Sequence, residues 1–430
     1  MIIRLSNARI LDLNENLSIR KGWIEVSDGV IKAVHYADDP EPAPSKEAFD
    51  REIDCKDNLI MRGFNDAHAH SAMTFLRSKA DDKPTPRWLQ EDIFPNEAKL
   101  TDDDIADFQR LAIMEYVSGG IVSAMDMYLR PDVTAEVFSK AGMRAVIVSG
   151  LNDFTSSVDE LKSQFKRLNS CSPLISFKAG IHAEYTTSAD KLESLSEFVH
   201  QVKTEVFCHA SETKSEVEDC IKRRGATPVK YLDSLGLFDH GGGIYHGVFL
   251  TDEEIDILKD KGIFTVINSA SNAKLASGMA PLKKLYDNGC KLAIGTDGPA
   301  SNNCLDMFRE MYLTSVLCKL REEDAECIDA SEILKMAVKG SASCMGLEDS
   351  GCVKPGANAD LIMIDLQRPN MQPLNNIVKN LVYSGQTANI LMTMVAGKIL
   401  YYNGEYDLGF DPDEMIAKCN DRTAGILNRK

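Results

Sequence analysis

Between residues 59 and 297 the chain repeats one pattern: a short apolar run, then a stretch with helical periodicity. Repetition of this kind builds βα units and a parallel sheet covered by helices. The runs are LIMRGF (59–64), IVSAMDM (121–127), RAVIVSG (144–150), LISFKAGI (174–181), EVFCHA (205–210), GIYHGV (243–248), FTVINS (264–269) and KLAIGTD (291–297). Helical text separates them. Over 101–118, Thr101 is a candidate N-cap, acidic residues fill the first turn, and Ile105, Phe108, Ala112 and Tyr116 mark one face before Gly119-Gly120 stops the helix. Eight such units predict a (β/α)8 TIM-like barrel, placed at 59–350.

The flanks read differently. RLSNARILDL and GWIEVSDGVIKAV alternate as strands do, with Gly22 and Asp28-Gly29 as turns, and a loop rich in Pro, Glu and Asp near 38–50 follows them. After helical stretches near 304–320 and 329–345, β-like text returns as ADLIMIDL and ILMTMVAGKILYYNGEY, with Asn403-Gly404 as a hairpin turn. Each flank is too short for a stable sheet alone. They are expected to pair into one small, discontinuous β-sandwich domain, 1–58 with 351–430, the second part ending in a helix.

Catalytic residues of such barrels sit at the C-terminal ends of the strands. His68 and His70 follow the first run, His182 the fourth, His209 the fifth and His246 the sixth, while Asn272 follows the seventh and Asp297 closes the eighth. A lone histidine is more often a satisfied polar residue than a site; five of the chain's eight on one rim are not explained by independent structural roles. His68 and His70 alternate along a strand, so both project the same way. Imidazole nitrogen and carboxylate oxygen suit Zn²⁺, with Fe²⁺ or Mn²⁺ as alternatives. His68, His70, His209 and Asp297 supply three nitrogens and one oxygen and leave room for water.

Glu212 stands three residues after His209, where a carboxylate can face that water without ligating the ion and carry protons. The plainer reading is a helix-start glutamate favoured by the dipole; the neighbouring His209 tips the balance. Lys178 is four residues before His182, roughly 13 Å deeper at about 3.3 Å per residue, so a lysine-bridged second ion is not expected and Lys178 reads as structural.

With 48 basic and 65 acidic residues the net charge is −17, which repels phosphate backbones and anionic membranes, so a small-molecule substrate is expected and neither nucleic acid nor membrane. No apolar stretch has membrane-spanning length and MIIRLSNARI lacks a signal-peptide core, so a cytoplasmic location is expected. The eleven cysteines include no CxxC pair and read mostly as small buried hydrophobes.

Six segments, GFNDAHAHSAM, WLQEDIFPNEAKLT, FCHASET, YHGVFLT, SNAKLASGMAP and GTDGPASNNCLDMF, together resemble the amidohydrolase superfamily across essentially the whole chain. The resemblance is to the branch of methylthioadenosine and S-adenosylhomocysteine deaminases and related chlorohydrolases. It implies His68, His70, His209 and Asp297 as metal ligands, Glu212 as the proton shuttle to a ring nitrogen, and His246 as the group that orients the attacking water. Asp297 would also take a proton from that water. Trp88 and Glu97 would pack against a nucleoside and accept hydrogen bonds from its ribose, and His182 would touch substrate. The implied reaction is hydrolytic deamination at C6 of an adenine ring with loss of ammonia, and similar proteins are commonly homo-oligomers.

Departures bear on the substrate. Relatives that accept S-adenosylhomocysteine carry an arginine where Ser149 stands and a second one in the next loop; LNDFTSSVDE has none, so a carboxylate tail would lack a bidentate partner, and Ser149 itself is expected among the substrate contacts. The usual His-Ser-Pro is His182-Ala183-Glu184 here, so Glu184 is expected to add negative charge near the pocket, and His-Asn-Pro is Ile267-Asn268-Ser269. The expectation is a neutral adenine nucleoside: methylthioadenosine, adenosine or 5′-deoxyadenosine. The alternatives are a deaminase or hydrolase of another aminated heterocycle, such as a guanine-like base, a pterin or a triazine, and, remotely, a barrel that serves only as a scaffold.

Overall fold

The computed structural model describes residues 2–39, 49–79, 81–347 and 351–429. Most of the acidic, proline-rich loop expected near 38–50 therefore lies outside the described residues.

Eight parallel strands run in chain order around the barrel: Phe64–Ala69, Ile121–Asp126, Arg144–Val148, Ile175–Ala183, Val206–Ala210, Gly242–His246, Phe264–Ile267 and Lys291–Ile294. The eighth meets the first through a parallel bridge of Ala69 with Asp297, where the Asp297 N–H donates to His68 O at 2.8 Å. Two rim residues are thus joined by their backbones before any side chain is considered. The helix Asp102–Ser118 forms as its sequence predicts, with Thr101 and Asp104 in a reciprocal capping box and Gly119 as C-cap. Its buried Asp104 and Asp107 are met by Lys418, Arg422 and Arg429 of the C-terminal segment, so the helix Pro412–Asn428 docks on the barrel.

The flanks form one nine-stranded mixed sheet. Ile2–Leu11 pairs antiparallel with Ile19–Ser27 and parallel with both Arg51–Asp54 and Leu59–Arg62. Leu59–Arg62 then pairs antiparallel with Leu361–Ile364, which leads on to Ile390–Val395 and Lys398–Tyr402. The sheet curls over its own core of Ile3, Leu5, Ile10, Ile24, Leu361 and Met392, and the Asp28-Gly29 turn reaches Ala359 across the fold. The expected sandwich is thus a single sheet folded over itself.

One strand differs from the sequence reading. Leu59–Arg62 belongs to this sheet, and the first barrel strand begins at Phe64. The break is at Gly63, where an added Cβ would stand 2.2 Å from a Val122 methyl carbon. Valine is stiff about χ1 and cannot swing clear. Gly63→Ala is therefore expected to destabilise the chain by about 1–3 kcal/mol, read as a lower urea midpoint. Beside it, buried Asp360 accepts from Arg144 at 3.1 Å and faces Arg62, an ionic joint between sheet and barrel.

Candidate metal and active site

The strand ends bring five of the singled-out side chains into one buried cluster. His68 Nε2 and His70 Nε2 lie 3.5 and 3.3 Å from Asp297 Oδ1, and His70 Nε2 lies 3.3 Å from His209 Nε2. Ligand atoms of His68, His70 and Asp297 fall within 4.8 Å of one another, as do those of His68, His209 and His246.

The backbone orients these rings. His70 Nδ1 bonds the Met127 carbonyl and His209 Nδ1 the His182 carbonyl at 2.7 Å, which turns both Nε2 atoms inward. Asp297 has φ of 62°; its Oδ2 accepts from the Ser271 hydroxyl and its Oδ1 from Gly298 N–H, 2.7 Å away. The ring of His68 stacks on Tyr245 at 3.6 Å and has no accessible surface, and among the described residues neither of its nitrogens has a hydrogen-bond partner. An imidazole buried with both nitrogens unpaired costs of order 1–3 kcal/mol for each, and a coordinated ion removes part of that cost. Burial, then the neighbouring imidazoles, hold the His68 and His209 pKa values well below the usual histidine range, so both rings are neutral and able to ligate. The residues fit one divalent metal ion.

Across the cluster stands Glu212. Its Oε1 accepts from the Ser277 hydroxyl at 3.0 Å and has the Thr85 hydroxyl at 3.4 Å, while its Oε2 is 4.0 Å from His246 Nε2. His246, with φ of 74°, is fixed through Nδ1 to Asn272 Oδ1 at 2.8 Å. Burial alone would lower its pKa, yet the Glu212 and Asp297 carboxylates and the Asn272 hydrogen bond hold it above the usual value.

The other singled-out residues separate into two groups. Trp88 is buried, and among the described residues its indole N–H has no acceptor. Glu97 faces the Tyr128 phenol, and burial pushes its carboxyl up to about 7. His182 is half-buried, lowered to about 4 chiefly by burial, and flanked by the exposed rings of Phe94 and Tyr185. Two expectations need correction. Glu184 is only 1% exposed and its carboxylate is held by Arg223 at 2.5 Å and Arg224 at 2.7 Å, so it offers no free negative charge to a pocket. The Ser149 hydroxyl donates to Gly180 O at 2.7 Å and accepts from Gly180 N at 2.8 Å, so it links two barrel strands instead of meeting a ligand. Lys178 pairs with Glu205, in keeping with a structural role.

Sequence reasoning passed over Tyr245, Ser271, Thr85 and Ser277. Their types are ordinary, and only their partners give them significance. The motif SNAKLASG did signal that the turn after the seventh strand mattered.

The sequence model of the amidohydrolase family matches residues 59–400. The chain belongs to that family. This amidohydrolase is 35% identical over 437 residues to a 5-methylthioadenosine/S-adenosylhomocysteine deaminase of Syntrophomonas wolfei, with all of both chains covered. It is 38% identical over 390 residues to a protein of the same name from Dictyoglomus thermophilum, covering 90% of this chain and 91% of that one. The crystal structure of an adenosine deaminase from Xanthomonas campestris with bound zinc superposes with a TM-score of 0.93 at 32% identity, covering 100% of this amidohydrolase and 98% of that chain. Among the described residues no helix of the amidohydrolase is long and apolar enough to cross a membrane.

Proposed function

We propose that the chain is a zinc-dependent deaminase that replaces the 6-amino group of a neutral adenine nucleoside by oxygen and releases ammonia. One observation carries the reading: among the described residues Glu212 keeps one carboxylate oxygen free of hydrogen bonds, opposite His246, beside a cluster of three imidazoles and a carboxylate. Hydrolytic deamination needs a group in that place that can both take and give a proton. The names of the relatives support the reaction, and the zinc in the solved adenosine deaminase supports the ion, which also suits three nitrogens and one oxygen.

A divalent ion held by His68, His70, His209 and Asp297 supplies Lewis acidity that makes water nucleophilic near neutral pH. The residues do the rest. Glu212 Oε2 takes a proton from the attacking water and delivers it to N1 as the C6–O bond forms. The hydroxyl now on C6 then gives up its proton, which the same oxygen passes to the departing nitrogen as the C6–N bond breaks, leaving a C6 carbonyl and ammonia. His246, fixed by Asn272, directs its Nε2 toward the oxygen added at C6. Trp88 packs on the base and Glu97 accepts from the ribose hydroxyls.

A neutral 5′ group is favoured because the segment LNDFTSSVDE brings no arginine and the charge of Glu184 is cancelled by two guanidinium groups. S-adenosylhomocysteine is therefore expected to be turned over with a kcat/KM well below that of methylthioadenosine; equal values would contradict this preference. Glu97 gives a second test. A carboxyl raised to about 7 loses its charge, and so its strength as an acceptor, as pH falls below that value. KM for the nucleoside is expected to rise from pH 8 to pH 6, and Glu97→Gln to raise KM and flatten the dependence. An unchanged KM in that variant would remove the ribose contact and favour a free base as substrate.

A further inference from the structure

We infer that Thr85 and Ser277 are positioning residues that confine the mobile proton of Glu212 to Oε2 and tie this carboxylate to the segment bearing Trp88. The inference rests on the deaminase reading for its consequence and on geometry for its premise. Three oxygens meet below the site: Ser277 Oγ is 3.0 Å from Glu212 Oε1, Thr85 Oγ1 is 3.4 Å from the same atom, and the two hydroxyls are 3.1 Å apart. All three residues are buried, so no bulk water competes for these contacts. A carboxylate oxygen that accepts hydroxyl protons is the poorer place for a further proton. The proton therefore resides on Oε2, which has no hydrogen bond among the described residues and faces His246.

The two hydroxyls come from different rim segments. Thr85 opens the short helix Thr85–Trp88, so it lies on the same turn as Trp88. Ser277 follows the helix Ser269–Lys274 and is held by its own N–H to Asn272 O at 2.9 Å. That one segment also sends Ser271 to Asp297 and Asn272 to His246. Three groups around the reacting centre thus take their orientation from seven consecutive residues, 271–277, and Lys274 within them anchors Asp81 at the foot of the Trp88 segment. A nucleoside that settles against Trp88 presses on the segment whose Thr85 sets the angle of the carboxylate.

The test is Thr85→Val combined with Ser277→Ala, which removes both hydroxyls with little change of shape, beside Thr85→Ser as the conservative control. The double variant is expected to bind metal in the wild-type ratio and keep KM for methylthioadenosine within about twofold, while kcat falls about tenfold or more, a part of what positioned acid–base groups contribute. Thr85→Ser is expected to match wild type. A crystal structure of the metal-loaded double variant is expected to show the Glu212 carboxylate rotated or in two orientations. A kcat within twofold of wild type, or an unmoved Glu212, would overturn the inference. If wild type itself releases no ammonia from any nucleoside, the deaminase reading fails, and the orientation of Glu212 still decides the role of the two hydroxyls.

Discussion

Glu212→Gln is expected to leave the chain folded and metal-loaded and to slow ammonia release by about 10²–10⁴-fold, the range general acid–base groups supply. Glutamine has the same shape, and its carbonyl oxygen can still accept from Ser277 and Thr85. The other end becomes an amide NH2 facing His246, which cannot take a proton from water. Binding should change little, so the loss should fall on kcat, with metal content by mass spectrometry or atomic absorption equal to wild type. Wild-type turnover in a metal-loaded Glu212→Gln would take the proton transfer away from this residue.

The second large effect is removal of the metal. A chelator should abolish turnover and lower the melting temperature by several degrees, because a ligand at a thousand times its Kd stabilises the fold by about 4 kcal/mol. Without the ion, His68 returns to a buried ring with two unpaired nitrogens. His209→Ala should reproduce both effects and resist rescue by micromolar zinc. The pH dependence has a definite sign. His68 and His209 are held neutral below the ordinary value of 6.5. At these two rings the unfolded chain therefore takes up more protons than the folded one as pH falls below about 6.5, and their contribution to stability declines in that direction. Unchanged melting after chelation would mean that the cluster does not hold a metal.

Much of this site could be read from the sequence because a strand and a barrel are regular objects. Alternation put His68 and His70 on one side, and the rule that barrel sites form at strand ends gathered His182, His209, His246 and Asp297 from positions far apart in the chain. The helix at 102–118 was equally legible, since Thr101, Asp104 and Gly119 act within a turn or two of themselves. Long-range pairing was not legible. LIMRGFNDAHAH reads as one continuous run, and its division between two sheets depends on Leu361–Ile364, some three hundred residues later. Glu184 looked like free charge because Arg223 and Arg224, about forty residues on, give no sign in sequence that they face it. Ser149 misled for the same reason: a hydroxyl at a strand end serves a ligand or a neighbouring strand equally well, and here it serves the strand.

The most direct measurement is ammonia release by the zinc-loaded protein across one panel: methylthioadenosine, adenosine, 5′-deoxyadenosine, S-adenosylhomocysteine, guanine and a pterin. Turnover of the neutral adenosines above the others, lost in Glu212→Gln, is the predicted result. Turnover of guanine or the pterin with silence on every nucleoside would contradict it, and would move the substrate away from the ribose contact assigned to Glu97.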